Sequence, residues 1–231
     1  MFSSLTLKVK FALFTLVLLV LTGAVLNYSE SLKHNSEKLP PGLEEKHKFR
    51  KWIGKWKDEF PQLEADTFKQ IDDGEIISST NPRYTVEELN LEKVQTEIAK
   101  YKGERYVVIA PDKLQLLNFR VFFSNNKEAT SSYVYYFGIR DDKVLHGPIY
   151  ECKKTSCYFD KPFFEGPDLF YLPEVEEKVI PNKAMKGATS TPAVYELYLH
   201  EFDLKANKRK TYISTQLLTD FSKIQEVLED L

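Results

Sequence analysis

The sequence predicts an α+β protein dominated by antiparallel sheet, as a sandwich or an open barrel-like arrangement. Helices flank the sheet, and a hydrophobic helix precedes everything else. Three observations carry this reading. Residues 11–26 form an apolar run without a charge. Two segments before Gly103 and one at the C-terminus place apolar residues at helical spacing. After Gly103 come short runs of Tyr, Phe, Val and Ile separated by turn clusters, the pattern of antiparallel strands.

The N-terminal run Phe11–Leu26 follows a basic tail, residues 1–10, that carries Lys8 and Lys10. A short positive flank before an apolar run is the plan of a secretory signal or a signal-anchor. Taken as residues 11–28, with Asn27 and Tyr28 at the interface, the segment approaches the roughly 20 residues of a spanning helix. Thr22-Gly23-Ala24 offers small residues for a cut after Ala24, so a retained single-pass anchor and a cleaved signal both stand. The tail is short, which favours its staying in the cytoplasm while the domain crosses. The bulk of the chain is therefore expected outside the cytoplasm, tethered to a membrane or secreted. Residues 29–42 read as a polar linker that ends in Pro40-Pro41-Gly42. Asn27-Tyr28-Ser29 has the form of a glycosylation sequon.

Residues 43–102 read as a helical segment. In Leu43–Phe60 the residues Phe49, Trp52, Ile53, Trp56 and Phe60 form one stripe, and Pro61 stops the helix. A second helix is expected over Val86–Lys102. Thr85 and Glu88 have the spacing of a capping box, Val86, Leu91, Val94, Ile98 and Tyr101 supply a stripe, and Gly103 ends it.

Residues 103–231 read as a β-rich domain with a C-terminal helix. Strands are expected at Arg105–Ala110, Leu116–Ser124, Tyr133–Arg140, Val144–Cys152 and Cys157–Phe164, with a hairpin of Tyr195–Leu204 and Lys210–Thr215. In the first strand of that hairpin Glu196, Tyr198, His200 and Phe202 share a face. Pro173–Pro192 shows little pattern and reads as a long surface or lid loop. Asp220–Leu231 closes the chain as a helix, with Phe221, Ile224, Val227, Leu228 and Leu231 at helical spacing. Residues 103–154 and 156–215 each resemble four short strands, a weak hint of propeller blades, although two blades close no ring.

The net charge of −2 argues against nucleic-acid binding by the whole chain. Its distribution is uneven, +6 over residues 1–57 and −8 over residues 58–231. Lys46–Lys57 is the most unusual stretch, with six Lys/Arg, no acid and both tryptophans. Two readings stand. The stripe packs in a core, or the helix lies on an anionic lipid surface or a protein partner through Lys48, Phe49, Arg50, Lys51, Trp52, Lys55 and Trp56. The membrane itself is the other expected partner, through residues 11–28.

Cys152 and Cys157 flank a four-residue turn, which suits a disulfide across a hairpin in an exported chain. A zinc site would need two more ligands, and neither cysteine has a His near it in sequence. The spacing is not the Cys-x-x-Cys of redox motifs. His34, His47, His146 and His200 form no pair at metal-ligand spacing; His146 reads as a turn residue and His200 as a sheet-face residue. Asp72-Asp73-Gly74 and Asp141-Asp142-Lys143 read as turns. No Gly-x-Ser-x-Gly elbow or calcium loop occurs, so no catalytic residue and no cofactor is expected. The expected function is that of a non-enzymatic interaction or structural module. An extracytoplasmic hydrolase with scattered catalytic residues and a small-ligand-binding β-domain are the alternatives.

Overall fold

A computed structural model describes residues 38–76, 85–125, 129–140, 142–152, 156–178 and 193–229. The apolar run Phe11–Leu26, the sequon, the linker before Lys38 and residues 179–192 lie outside this set. No helix among the described residues is long and apolar enough to cross a membrane.

After a 3-10 turn at Leu43–Glu45 the chain forms α1 (His47–Glu59), β1 (Phe68–Glu75), β2 (Thr85–Glu88), α2 (Leu91–Lys100), β3 (Val107–Ile109) and β4 (Gln115–Asn125). It continues through β5 (Ala129–Arg140), β6 (Lys143–Cys152), β7 (Cys157–Phe159), β8 (Phe163–Phe164) and β9 (Leu169–Lys178). It ends with β10 (Val194–Asp203), β11 (Lys208–Ser214) and α3 (Phe221–Glu229). The larger sheet has the order β1-β11-β10-β9-β7, with β8 also on β9; the smaller has the order β2-β6-β5-β4-β3. All their pairings are antiparallel.

The two sheets pack face to face. Phe170, Leu172 and Phe202 of the larger sheet meet Leu117, Val134, Tyr136 and Leu145 of the smaller. Each outer face is covered by helix. Phe49, Trp56, Ile224 and Val227 of α1 and α3 cover Tyr171, Val175, Leu197 and Leu199. Val94 and Ile98 of α2 cover Leu116 and Val144. The result is four layers, helix–sheet–sheet–helix, and a mainly antiparallel α+β architecture. The two stretches hold four strands (β3–β6) and five (β7–β11), and they stack as a sandwich and are not blades. In sequence, β1 and β7–β11 bracket the whole of the smaller sheet.

Three expectations fail for physical reasons. Residues 43–102 are not helical throughout, because β1 and β2 each join the edge of a sheet. β1 contains Asp72-Asp73-Gly74, read as a turn; here Asp72, Asp73 and Glu75 lie opposite Thr211, Lys210 and Lys208, and Asp72 pairs with Arg209 at 2.5 Å. Cross-strand charge pairing, which no local pattern shows, holds this edge. The second helix starts at Leu91, not Val86. The Asn90 side chain caps it by accepting from the Lys93 N–H at 2.9 Å, while Thr85–Glu88 pairs with His146–Lys143. Lastly, β9 runs through the first six residues of the expected loop, Pro173–Lys178, with every residue from Phe170 to Glu176 buried. Pro173, Glu174, Glu176 and Glu177 disguised a central strand that is covered on both faces.

Candidate functional site

The stripe on α1 faces the larger sheet. Phe49, Trp52, Ile53 and Trp56 are all buried there, Trp56 completely. Phe49, Trp52 and Trp56 therefore cannot form a lipid-inserting face, which corrects the membrane-surface reading for these three. Helical spacing specifies that a stripe is buried, not what buries it. Lys48, Arg50, Lys51 and Lys55 remain on the surface side of the helix.

Both indoles of the chain are fixed by one carboxylate. Asp160, in the link between β7 and β8, is only 1% exposed and accepts Trp52 Nε1–H at 3.0 Å and Trp56 Nε1–H at 2.8 Å on the same oxygen, Oδ2. Its other oxygen accepts the Lys161 N–H at 2.7 Å, and its own N–H donates to Pro173 O at 3.0 Å. Burial pushes the Asp160 carboxyl above the ordinary carboxylate range, and the indole and amide donors oppose that shift.

Around this clamp lies a groove of about 830 Å³. One wall is α1, with Lys48, Arg50, Lys51 and Lys55; Lys161 stands on the opposite side. Trp52, Val108, Ile109, Pro162, Phe163 and Phe164 supply an apolar floor. Lys48 donates to the Phe164 carbonyl. Among the described residues, Arg50, Lys51, Lys55 and Lys161 form no salt bridge. Asp58 and the buried Asp160 are the carboxylates of the lining, so the rim is strongly cationic. Gly54 also lines the groove, and a Cβ there would meet nothing within 4 Å.

A second cluster lies between the sheets. His200 of β10 places Nε2 at 3.0 Å from Glu174 Oε2 of β9 and 3.2 Å from the Tyr150 hydroxyl of β6. Its Nδ1 is 3.0 Å from Thr211 Oγ1 of β11. Glu174 Oε1 lies 3.2 Å from Cys157 Sγ. Cys152 and Cys157 are at disulfide distance, with Sγ atoms 2.19 Å and Cα atoms 6.4 Å apart. Glu174, His200 and both cysteines are buried. Burial first, and then Glu174, pushes the Tyr150 hydroxyl far above its ordinary value, so it stays a neutral donor.

A third set lines a 270 Å³ pocket under α2. His146 lies in β6 rather than in a turn, with Nδ1 2.9 Å from the Tyr135 hydroxyl and Nε2 3.2 Å from Glu87 Oε1. Lys93 holds the other Glu87 oxygen at 2.7 Å and, with His146, keeps that carboxyl below its ordinary range.

Sequence reasoning named the basic residues of the groove but missed Asp160 and Lys161, which sit inside a segment read as continuous strand. It also missed Glu174, hidden in the expected loop. For His200 a signal existed, since the shared face of Glu196, Tyr198, His200 and Phe202 put a histidine on a sheet face beside a large aromatic residue. No protein-family model matches the chain, and no match was found among curated proteins or solved structures.

Proposed function

We propose that this chain is an extracytoplasmic binding module, held at a membrane by residues 11–28 or released from it, whose α1 groove receives an anionic lipid. The observation that carries this is the groove itself, an apolar floor rimmed by Arg50, Lys51, Lys55 and Lys161, which have no carboxylate partner among the described residues. Cations over an apolar bed complement a molecule that joins a phosphate or carboxylate to a hydrocarbon chain. The volume falls in the range of about 300–1,000 Å³ typical of sites for single small molecules. It is too confined for the flat helix-on-membrane contact, and the buried tryptophans remove the residues that such a contact needs.

The sequence adds proximity. Leu39 and Leu43 are buried in the domain, which leaves residues 27–37, eleven in number, as tether; a flexible chain of that length would span roughly 18 Å. A retained anchor would hold the groove within reach of lipid headgroups and raise the effective ligand concentration. The interaction-module reading and the ligand-binding alternative converge on one surface here.

The test uses Trp52, whose ring lines the groove. Titration of the full chain with short-chain phosphatidylglycerol, below its micelle concentration, is expected to shift tryptophan emission saturably. Phosphatidylcholine of the same chain length should bind far more weakly. Each cation near an anionic group contributes about 1 kcal/mol, so Lys51→Glu with Lys161→Glu should weaken binding at least roughly 30-fold. Gly54→Trp should block the groove without touching the core. Equal binding of both lipids, or binding indifferent to these variants, would remove the proposal.

A further inference from the structure

The contact between Glu174 Oε1 and Cys157 Sγ, 3.2 Å long, is unusual chemistry for a disulfide. A disulfide sulfur has no proton to donate, so it leaves a buried carboxylate oxygen facing a group that cannot satisfy it. A thiol would donate to that oxygen, and a metal ion between the two would need both. The surroundings supply the remaining parts of a metal site. The donor atoms of Cys152, Cys157 and Glu174 lie within 4.8 Å of one another, and all three residues are buried. His200 Nε2 is 3.0 Å from the second oxygen of the same carboxylate but lies outside that set of three, so it must close in on the metal as the sulfurs part.

Cys152 ends β6 in the smaller sheet and Cys157 begins β7 in the larger, so the pair joins the two sheets and is not the hairpin expected from the sequence. We propose that the reduced form of this inter-sheet link binds one zinc ion through Cys152, Cys157, Glu174 and His200. The disulfide and the zinc complex are then two states of the same side chains. Two thiolates, one imidazole and one carboxylate are a donor set that zinc accepts in a closed, four-coordinate site. The two cysteines are separated by four residues, within the two-to-four spacing of zinc hairpins. Zinc–sulfur bonds of about 2.3 Å at the tetrahedral angle require the two sulfurs to move apart by roughly 1.7 Å from bonding distance. The outer shell is in place. Thr211 Oγ1, 3.0 Å from His200 Nδ1, accepts the Nδ1–H and so directs the Nε2 lone pair at the metal position. The inference is independent of the α1 groove. It also supplies the two ligands that the sequence alone did not reveal.

The redox step balances as follows. A small-molecule disulfide takes two electrons from the two zinc-bound sulfurs and leaves as two thiols after taking up two protons. One S–S bond forms between Cys152 and Cys157, both Zn–S bonds break, and zinc is released to water. In reverse, a phosphine donates two electrons and becomes its oxide with an oxygen from water. The freed thiols lose their protons to solvent as zinc binds.

The experiment reduces the full-length chain with a phosphine under inert gas, adds zinc, removes the excess and measures metal and thiols. One zinc per chain is expected, with both thiols protected from alkylation, and none after reoxidation. Cobalt in place of zinc should give the visible bands of a tetrahedral site and a thiolate charge-transfer band. Glu174→Gln, which keeps shape and hydrogen bonding, should weaken zinc binding at least roughly 100-fold. Thr211→Val should weaken it about 10- to 100-fold by loosening His200. The proposal is overturned by less than a tenth of an equivalent of bound zinc in the reduced chain. Full binding by the Cys152→Ser/Cys157→Ser variant, or a reduced chain that unfolds and does not recover with zinc, would overturn it equally.

Discussion

Asp160→Ala is expected to destabilise the fold by about 3–5 kcal/mol, because it strands two buried indole N–H groups at once. Trp52 and Trp56 both donate to Asp160 Oδ2, and among the described residues neither indole has another acceptor. The clamp also ties α1 to the link between β7 and β8, so its loss loosens the helix that forms the groove wall. Chemical denaturation followed by tryptophan emission reads both effects, since both reporters are in the clamp. Asp160→Asn should cost less, because its carbonyl oxygen can still accept from the indoles. The pH dependence separates the two further. The folded carboxyl titrates above its unfolded value, so the folded state binds the proton more tightly. Stability from this group is fully present below the unfolded value and is lost as pH rises through the folded one. Wild type should therefore gain stability relative to Asp160→Asn on acidification from neutrality into the carboxylate range. A flat difference between the two proteins across that window would mean that the indole and amide donors offset the burial of the carboxyl completely, against the upward shift expected here.

Glu174→Ala is expected to cost about 2–4 kcal/mol in the oxidised protein, whereas Glu174→Gln should stay within about 1 kcal/mol of wild type. The alanine removes the acceptor facing His200 Nε2 and leaves a space between the sheets. The glutamine keeps an oxygen for the imidazole and turns an amide toward Cys157. Thermal unfolding of both variants without reductant is the measurement. If alanine and glutamine behave alike, the Glu174–His200 contact at 3.0 Å contributes nothing. The mild effect of glutamine matters for the zinc test, since lost metal binding then reports a lost ligand and not a lost fold.

What the sequence reveals and what it hides follow from the range of the interactions involved. The meander β3–β6 is legible because each strand pairs with its neighbour in the chain, so turns and runs alternate in order. The helices α1 and α3 are legible because their partner is a whole sheet face, and any apolar stripe will do. β1 is not, because it is held by Arg209 and Lys210 from the far end of the chain. β9 is not, because a strand with both faces covered loses the alternation that marks a half-buried one. The groove follows the same division. Lys48, Arg50, Lys51 and Lys55 stand out in sequence as one run, while Asp160 and Lys161 gain meaning only where the β7–β8 link meets α1.

The bracketing of the smaller sheet by the larger has a consequence in time. Phe68 pairs with Ser214, so β1 leaves the ribosome 146 residues before its partner. At about 5–20 residues per second that is a wait of roughly 7–30 s. Residues 85–152 hold every strand of the smaller sheet and can assemble during the wait; β1 cannot be sheltered until the last strand arrives. Its charges, Asp72, Asp73 and Glu75, are suited to an edge that must stay unpaired beside other chains. Stalled chains ending before Lys208 are accordingly expected to show a protease-resistant fragment over residues 85–152 with cleavage throughout residues 64–76. Protection of β1 in such chains would mean that it finds shelter earlier than its hydrogen-bonding partner allows.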